Sequence, residues 1–477
     1  MSPSSKQTRA PSYPGLLLYR CLLWLALPVV LLRLWWRGRN DPTYKIRWRE
    51  RFGVYPQPIT PNSIWFHTVS AGESIAAAPL IRELAQRGEL KSPLLVTTMT
   101  PTGSEQVTRL LLIRELAQRG ELKSPLLVTT MTPTGSEQVT RLLGDCVQHC
   151  YAPYDFTFAV GRFLAHVQPR ALILMETEIW PNLILQAKAL GIPVLLMNAR
   201  LSAKSARGYE RFGWLGRPVL QAIDLIACQT EEHVERFQRL GVAAPRLQVV
   251  GNVKYDLDAP IDLAQRAAQI QARLGGKQQR SWIAASTHPG EEELVLQAHQ
   301  QLLQTHEHLL LWLAPRHPNR LAELTSLLDR LTQQMPGGWC RYTALVDQHA
   351  DNVSQVSVVL VDQMGVLMPL YQLADVAFMG GSLIDHGGHN PIEPASLGTP
   401  VMTGAHHFNF AQVFADLMQA GACITTDEDI LADDVGQLLV DVEQRTFMGN
   451  ACAEVVQMNR GAKQRSLALL EQHLSAD

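Results

Sequence analysis

The chain has 477 residues, 18% of them charged, and a formal net charge of −2. That length suits two domains, each with its own core. The near-neutral balance argues against a protein that holds nucleic acid by global charge. Seven scattered cysteines do not form a disulfide framework, and Cys146 and Cys150 flank His149 without a second ligand pair, so neither a disulfide scaffold nor zinc is expected. A reducing compartment follows.

Residues Gly15–Trp36 form an apolar run whose uncharged core, Cys21–Leu32, is 12 residues long. That is short of the ~20 a spanning helix needs, although Arg20 and Arg33 can snorkel. Trp24, Trp35 and Trp36, followed by Arg37, Arg39, Lys45, Arg47, Arg49 and Arg51, suit a headgroup interface with anionic lipid. Whether the helix spans or lies on the bilayer, residues 1–52 read as an anchor with a basic juxtamembrane segment. The rest of the chain is expected on the cytoplasmic face of a membrane.

Leu80–Leu111 is repeated without change as Leu112–Leu143, each copy holding a helix end, an LLVTT strand, a TPTG turn and a second helix. A solenoid would need more copies, and drifted ones. A parallel sheet with one place for this strand leaves about 32 residues surplus. The surplus copy is therefore expected at the periphery, as an excursion between Gly88 and Gly144.

Apolar strand candidates are Ser63–Thr68, the two LLVTT copies, Cys146–Tyr151, Ala171–Met175, Pro193–Met197, Asp224–Gln229 and Leu247–Val253, with amphipathic stretches between most of them. After a helix at Leu263–Leu274 the pattern restarts with Trp282–Ala285, Leu309–Leu313, Val356–Leu360, Val376–Met379, Pro400–Met402 and Cys423–Thr425. Near-continuous apolar strands alternating with helices predict parallel sheets covered on both faces. The economical description is two Rossmann-like domains, 53–252 and 253–477, with ligands in the cleft between the carboxyl ends of both sheets.

In the second half, four strands end in polar loops. Ser286 and Thr287, Arg316 and His317, Met364 and Gly365, and the run Phe378–Ala395 supply an anion site, a backbone rim and a sugar clamp of Asn390 and Glu393. Gly380-Gly381 and Gly387-Gly388 leave backbone N–H groups uncovered, and Asn390-Pro391-Ile392-Glu393 reads as a capped helix start. Each loop alone is also explained as a cap or a surface turn; together they read as a nucleotide site. The chain lacks GxxxxGK[ST], and no GxGxxG follows the first strand, against a P-loop NTPase and a dinucleotide dehydrogenase. In the first half, Ser70, Gly72 and Glu73 follow the first strand. Glu73 is either a first-turn partner of the helix dipole or a general base. Glu176, Glu178 and Arg200 end later strands and suit an acceptor carrying phosphate or carboxylate. Asp256-Leu257-Asp258 resembles a metal-binding DxD, but it lies in the presumed linker and no metal is expected.

Taken in order, SAGE (Ser70–Glu73), METEIWPN (Met175–Asn182), NARLSAKSARGY (Asn198–Tyr209), GNVKYD (Gly251–Asp256), ASTHPGEE (Ala285–Glu292), APRHP (Ala314–Pro318) and GGHNPIEPA (Gly387–Ala395) resemble the 3-deoxy-D-manno-octulosonic acid (Kdo) transferases of Gram-negative bacteria. The resemblance implies a metal-independent, inverting GT-B glycosyltransferase that moves Kdo from CMP-Kdo to the lipid A precursor, lipid IVA, without a cofactor. It makes Glu73 the general base. It places Arg316, Met364, Asn390 and Glu393, with Ser286, Thr287, His317 and Gly365 of the same loops, around CMP. It places Glu176 or Glu178, with Arg200, nearer the acceptor and the transferred sugar; Ser70, Gly72 and Lys254 are further candidates on that side. The duplication departs from the family pattern on the acceptor side. A GT-B enzyme using a UDP-sugar, whether transferase or epimerase, and a silent membrane-surface binding protein remain as alternatives. Neither nucleic acid nor any particular oligomeric state is expected.

Overall fold

The computed structural model describes residues 14–40, 45–56, 58–59, 61–68, 77, 80–81, 94–98, 126–131, 147–257, 259–275, 280–317, 320–346 and 356–474. The chain divides into two units, Met1–Asp256 with Gly461–Asp477, and Leu257–Arg460. The sequence runs the second domain to residue 477, whereas here the last helix, Ala462–Leu474, belongs to the first unit. It buries Leu467, Leu470 and Leu474 against that unit's core. Asp256 fixes its start, accepting the backbone N–H groups of Gly461 and Lys463, each at 2.6 Å. That capping work accounts for the first acid of the DxD; Asp258 lies outside the described residues.

Among the described residues, the first unit holds eight parallel strands: β1 (Ile64–His67), β2 (Leu94–Thr98), β3 (Leu126–Thr130), β4 (Val147–Tyr151), β5 (Ala171–Met175), β6 (Val194–Ala199), β7 (Leu225–Cys228) and β8 (Leu247–Val249). Their spatial order is β4-β3-β2-β1-β5-β6-β7-β8. Side chains alternate between faces, so Leu172, Leu174, Val194 and Leu196 enter one core while Ala171, Ile173, Met175, Leu195 and Met197 enter the other. Burial on both faces explains why these strands read as unbroken apolar runs.

The expectation of a peripheral surplus copy is wrong. Both LLVTT strands stand in the sheet, paired in parallel with Leu94 beside Leu126 and Thr98 beside Thr130. The reason is that the repeat holds one strand with its connection, so insertion conserves the phase of the alternation. Because the copies are identical, β1 still meets one LLVTT strand and β4 still meets another. The new interface is copy against copy, and β4 moves outward by one place. Apart from Met131, the rest of the interval between Gly88 and Gly144 lies outside the described residues.

The helix Pro14–Asn40 docks on the first unit. Tyr19 donates to the buried carboxyl of Asp155 at 2.9 Å, and Arg20 Nε donates to Asn182 Oδ1 at 2.9 Å. Asp155 also accepts the backbone N–H groups of Asn182 and Leu183. Burial, partly opposed by those hydrogen bonds, pushes its pKa up to about 7.

The second unit holds β9 (Ser281–Thr287), β10 (Leu310–Pro315), β11 (Trp339–Arg341), β12 (Val358–Leu360), β13 (Val376–Met379), β14 (Val401–Thr403) and β15 (Cys423–Thr425), all parallel. Their order is β11-β12-β10-β9-β13-β14-β15. The edge strand β11 was not expected, since three half-buried or exposed residues carry no apolar run. In this sheet the direction of winding reverses between β9 and β13, the place where open α/β sheets receive ligands.

Candidate active site

At the carboxyl end of β9 the ladder slips. Ala285 pairs with Ala314 and Thr287 with Pro315, leaving Ser286 as a bulge with φ of 60°. Gly380, at the end of β13, lies so close that a Cβ on it would stand 2.7 Å from Ser286 O and Thr287 Cα. Only glycine permits that approach, so the β9 and β13 loops form one floor.

The N–H groups of the first glycine pair are not uncovered, as the sequence suggested. Gly380 N–H donates to Ala285 O at 2.8 Å, and Glu291, wholly buried as the first residue of helix Glu291–Leu302, takes that of Gly381. One carboxylate oxygen accepts His288 N–H at 3.1 Å and Gly381 N–H at 2.6 Å; the other accepts Ser382 and Leu383 N–H at 2.9 and 3.0 Å. An internal anion thus fills the nest that an exposed glycine loop would offer to a ligand. Gly388 N–H donates to Gly381 O at 2.8 Å, and Asn409 donates to His386 O at 2.9 Å, which folds the rest of the loop back on itself.

Four imidazoles gather on this floor. His288 Nε2 lies 2.8 Å from His389 Nε2, and the ring of His288 is centred 4.4 Å from that of His386 and 5.5 Å from that of His317. Burial first, then the neighbouring imidazoles and the guanidinium groups of Arg316 and Arg320, lower the His288 pKa to about 4. Burial, then Arg316 and the other imidazoles, lower that of His389 to about 3. Arg316 is tied to the β9 loop by its backbone N–H, which donates to Thr287 O at 3.0 Å. Asn390 Oδ1 accepts Ile392 N–H at 3.1 Å, one residue ahead of the expected place, since Pro391 takes the N-cap position. Glu393 follows in the short helix Ile392–Ser396, half-buried, and its charge helps burial raise the pKa of Tyr371. Met364 and Gly365 stand after β12, two strands from β9, both exposed, with Gly365 O accepting from Arg266 at 3.3 Å.

In the first unit the reversal falls between β1 and β5. Ser70, Gly72 and Glu73 lie outside the described residues. Glu176, directly after β5, is buried in a left-handed backbone conformation with φ of 55°. Its oxygens meet Lys254 Nζ at 2.6 Å and Arg200 Nε at 3.0 Å, so three predicted residues converge. Burial opposes ionisation of Glu176, but Lys254 and then Arg200 outweigh it and hold the carboxyl below its ordinary range. Glu178 accepts from Trp180 Nε1 at 2.9 Å, and burial with help from Glu176 pushes its pKa up. The two acids are thereby shifted in opposite directions. Asn198, also left-handed at φ of 52°, accepts Val253 N–H at 3.2 Å and so holds the Lys254 loop against β6.

Glu291, His288, His386 and His389 were not among the predicted site residues. The spacing of His288 and Glu291 is that of a capping box, which signals the first of the four N–H contacts; the others join residues about 90 positions apart.

The family model for 3-deoxy-D-manno-octulosonic-acid transferase (kdotransferase) matches residues 46–112 and 110–257. The break between the two matches falls where the duplicated copies meet. Among solved structures, a putative UDP-N-acetylglucosamine 2-epimerase from Listeria monocytogenes shares the fold, with a TM-score of 0.51 at 15% identity over 88% of this chain and 98% of that one. The 3-deoxy-D-manno-octulosonic acid transferase of Bordetella pertussis is 33% identical over 94% of this chain and 96% of its own. The Haemophilus influenzae enzyme of the same description is 38% identical over 96% of this chain and 98% of its own. Identity of that extent, spanning both units, makes this chain a member of the 3-deoxy-D-manno-octulosonic acid transferase family, and so a glycosyltransferase.

Proposed function

We propose that the donor is CMP-Kdo, held on the β9–β13 floor of the second unit, and that the acceptor is the lipid A precursor, lipid IVA. Two observations, each made within one unit, support this: Glu176 meets Arg200 and Lys254 in the first unit, and cationic groups gather at the Arg316 floor of the second. Such an arrangement suits two anionic substrates.

In the transfer, the Glu73 carboxylate takes the proton of an acceptor hydroxyl, and that oxygen bonds to the anomeric carbon of Kdo. The bond from that carbon to the phosphate oxygen breaks, its electron pair stays with the phosphate, and CMP leaves with inversion. Arg316 offsets the charge that develops on the leaving phosphate. Asn390 and Glu393 hold the ribose, and Met364 and Gly365 border the base. No cofactor enters this sequence.

The protein works at the cytoplasmic face of the inner membrane. Leu16, Leu23, Leu27 and Leu34 of the N-terminal helix pack on the first unit, while Leu18, Leu22, Leu25, Val29, Leu32 and Trp36 form an exposed apolar stripe on the same helix. Docking from Leu16 to Leu34 covers about 27 Å of helix. A helix held along that length by a globular unit lies in the interface instead of crossing it.

The test supplies purified protein with CMP-Kdo and lipid IVA and follows Kdo-lipid by mass spectrometry. Kdo-lipid is expected from the wild type; Glu73→Gln is expected to bind CMP and to lose about 10²–10⁴-fold in turnover. Turnover of a UDP-sugar with none of CMP-Kdo would overturn the proposal, and full activity of Glu73→Gln would overturn the role of Glu73.

A further inference from the structure

Three of the four imidazoles, His288, His386 and His389, have no part in that scheme. Their arrangement gives them one. Two Nε2 atoms 2.8 Å apart require one N–H donor and one bare acceptor, so His288 and His389 carry complementary tautomers. Such a pair admits one further proton without breaking its contact, because the donor ring can be protonated on its remaining nitrogen. It cannot hold two imidazolium rings, whose N–H groups would face each other.

The pair lies on the donor floor itself: a Cβ on Gly381 would stand 3.2 Å from the His389 ring and 3.4 Å from that of His288. The groups around it are mostly cationic or neutral. From the β10 side come Arg316, His317 and Arg320, and from the β13 loop His386. Two nearby acids are already committed, Glu291 to four backbone N–H groups and Glu292 to Arg320 at 2.7 Å. Asp385 is exposed and lies 3.6 Å from His406, and His407 is engaged with Gly404 O at 3.1 Å. Burial, and after it this surplus of positive charge, keeps the pair neutral without a bound anion. An anion on the floor offsets the second of these.

We infer that the His288–His389 pair takes up one proton as the anionic group of the donor binds, so that donor affinity on this floor is coupled to proton uptake. This rests on the floor being the donor site. The ligand class is a phosphate-ester or carboxylate anion, and cytidine, which lacks the anion, should bring no proton with it.

CMP binding to the full-length protein is measured by calorimetry at a pH of about 7.5, a unit above the ordinary imidazole pKa, in buffers of different ionisation enthalpy. The wild type should take up a substantial fraction of a proton per CMP, and its affinity should fall with rising pH, by at most about tenfold per unit. His288→Asn and His389→Asn should each abolish the uptake and flatten the pH dependence. The contribution of CMP's own second ionisation is read from the same variants and subtracted. Histidine-labelled NMR of the wild type gives a second readout that needs no variant to fold, with one of the two rings becoming protonated on CMP addition. CMP binding with no uptake, or uptake unchanged in both variants, overturns this inference and leaves the donor site standing. Failure of CMP to bind overturns both.

Discussion

Replacing Glu291 by Gln tests whether the donor floor is set by an internal carboxylate. The side chain keeps its shape, but one oxygen becomes an N–H₂ group. Each oxygen of Glu291 serves two backbone N–H groups, so two of the four lose their acceptor and face a donor instead. An unsatisfied buried donor costs about 1–3 kcal/mol, which puts the loss at roughly 2–6 kcal/mol. For a unit of this size that lowers the midpoint by about 2–4 °C per kcal/mol. The Gly381–Leu383 segment should move away from the Ser286 bulge, so CMP affinity should fall together with stability. The assays are thermal unfolding with and without CMP, and the Kd of CMP at a temperature where the variant is still folded. A variant whose Tm and CMP Kd both match the wild type would refute the claim that Glu291 shapes the floor. A lowered Tm with unchanged Kd would confine Glu291 to stability.

Lys254→Met strips the buried Glu176 of its nearer partner and leaves the half-exposed Arg200. Breaking a buried pair costs about 3–5 kcal/mol at most, and acceptor KM should rise while CMP affinity holds; unchanged acceptor kinetics would separate this cluster from the acceptor. His299, wholly buried, accepts from Trp282 Nε1 at 3.2 Å and donates from Nε2 to Ser357 O at 2.9 Å, and burial lowers its pKa from 6.5 to about 3. Its folded pKa lies below its unfolded one, so its contribution is complete above 6.5 and shrinks as the pH falls towards 3. Chemical denaturation should show about 2 kcal/mol lost from this one group between pH 6.5 and 5, a slope that His299→Asn should reduce. Deleting Leu112–Leu143 should leave a folded protein with unchanged CMP affinity, since β4 then meets an identical LLVTT strand. Collapse of the deletion variant would show that the copy-to-copy pairing is indispensable.

Much of this molecule was legible before its tertiary structure. Strands such as Ala171–Met175 and Val376–Met379 are buried on both faces, and unbroken apolar runs announce them. The hydrogen bond at Asn390 is a local interaction, so its residues disclose it. The seven ordered motifs named the family, and the whole-length identity agrees. Contacts between distant segments were not legible. The two LLVTT copies are identical, so no local preference could assign one to the sheet and one to the surface; the sheet accepts both because an added strand-and-connection unit keeps its phase. Chain order puts the last helix with the second unit, and only the core it meets shows that it belongs to the first. The glycine loop advertised free N–H groups because the carboxylate that fills them comes from about 90 residues away. The imidazole pair likewise joins positions 101 residues apart. Local sequence carries periodicity and caps; which charge meets which is settled by the order of strands in the sheet.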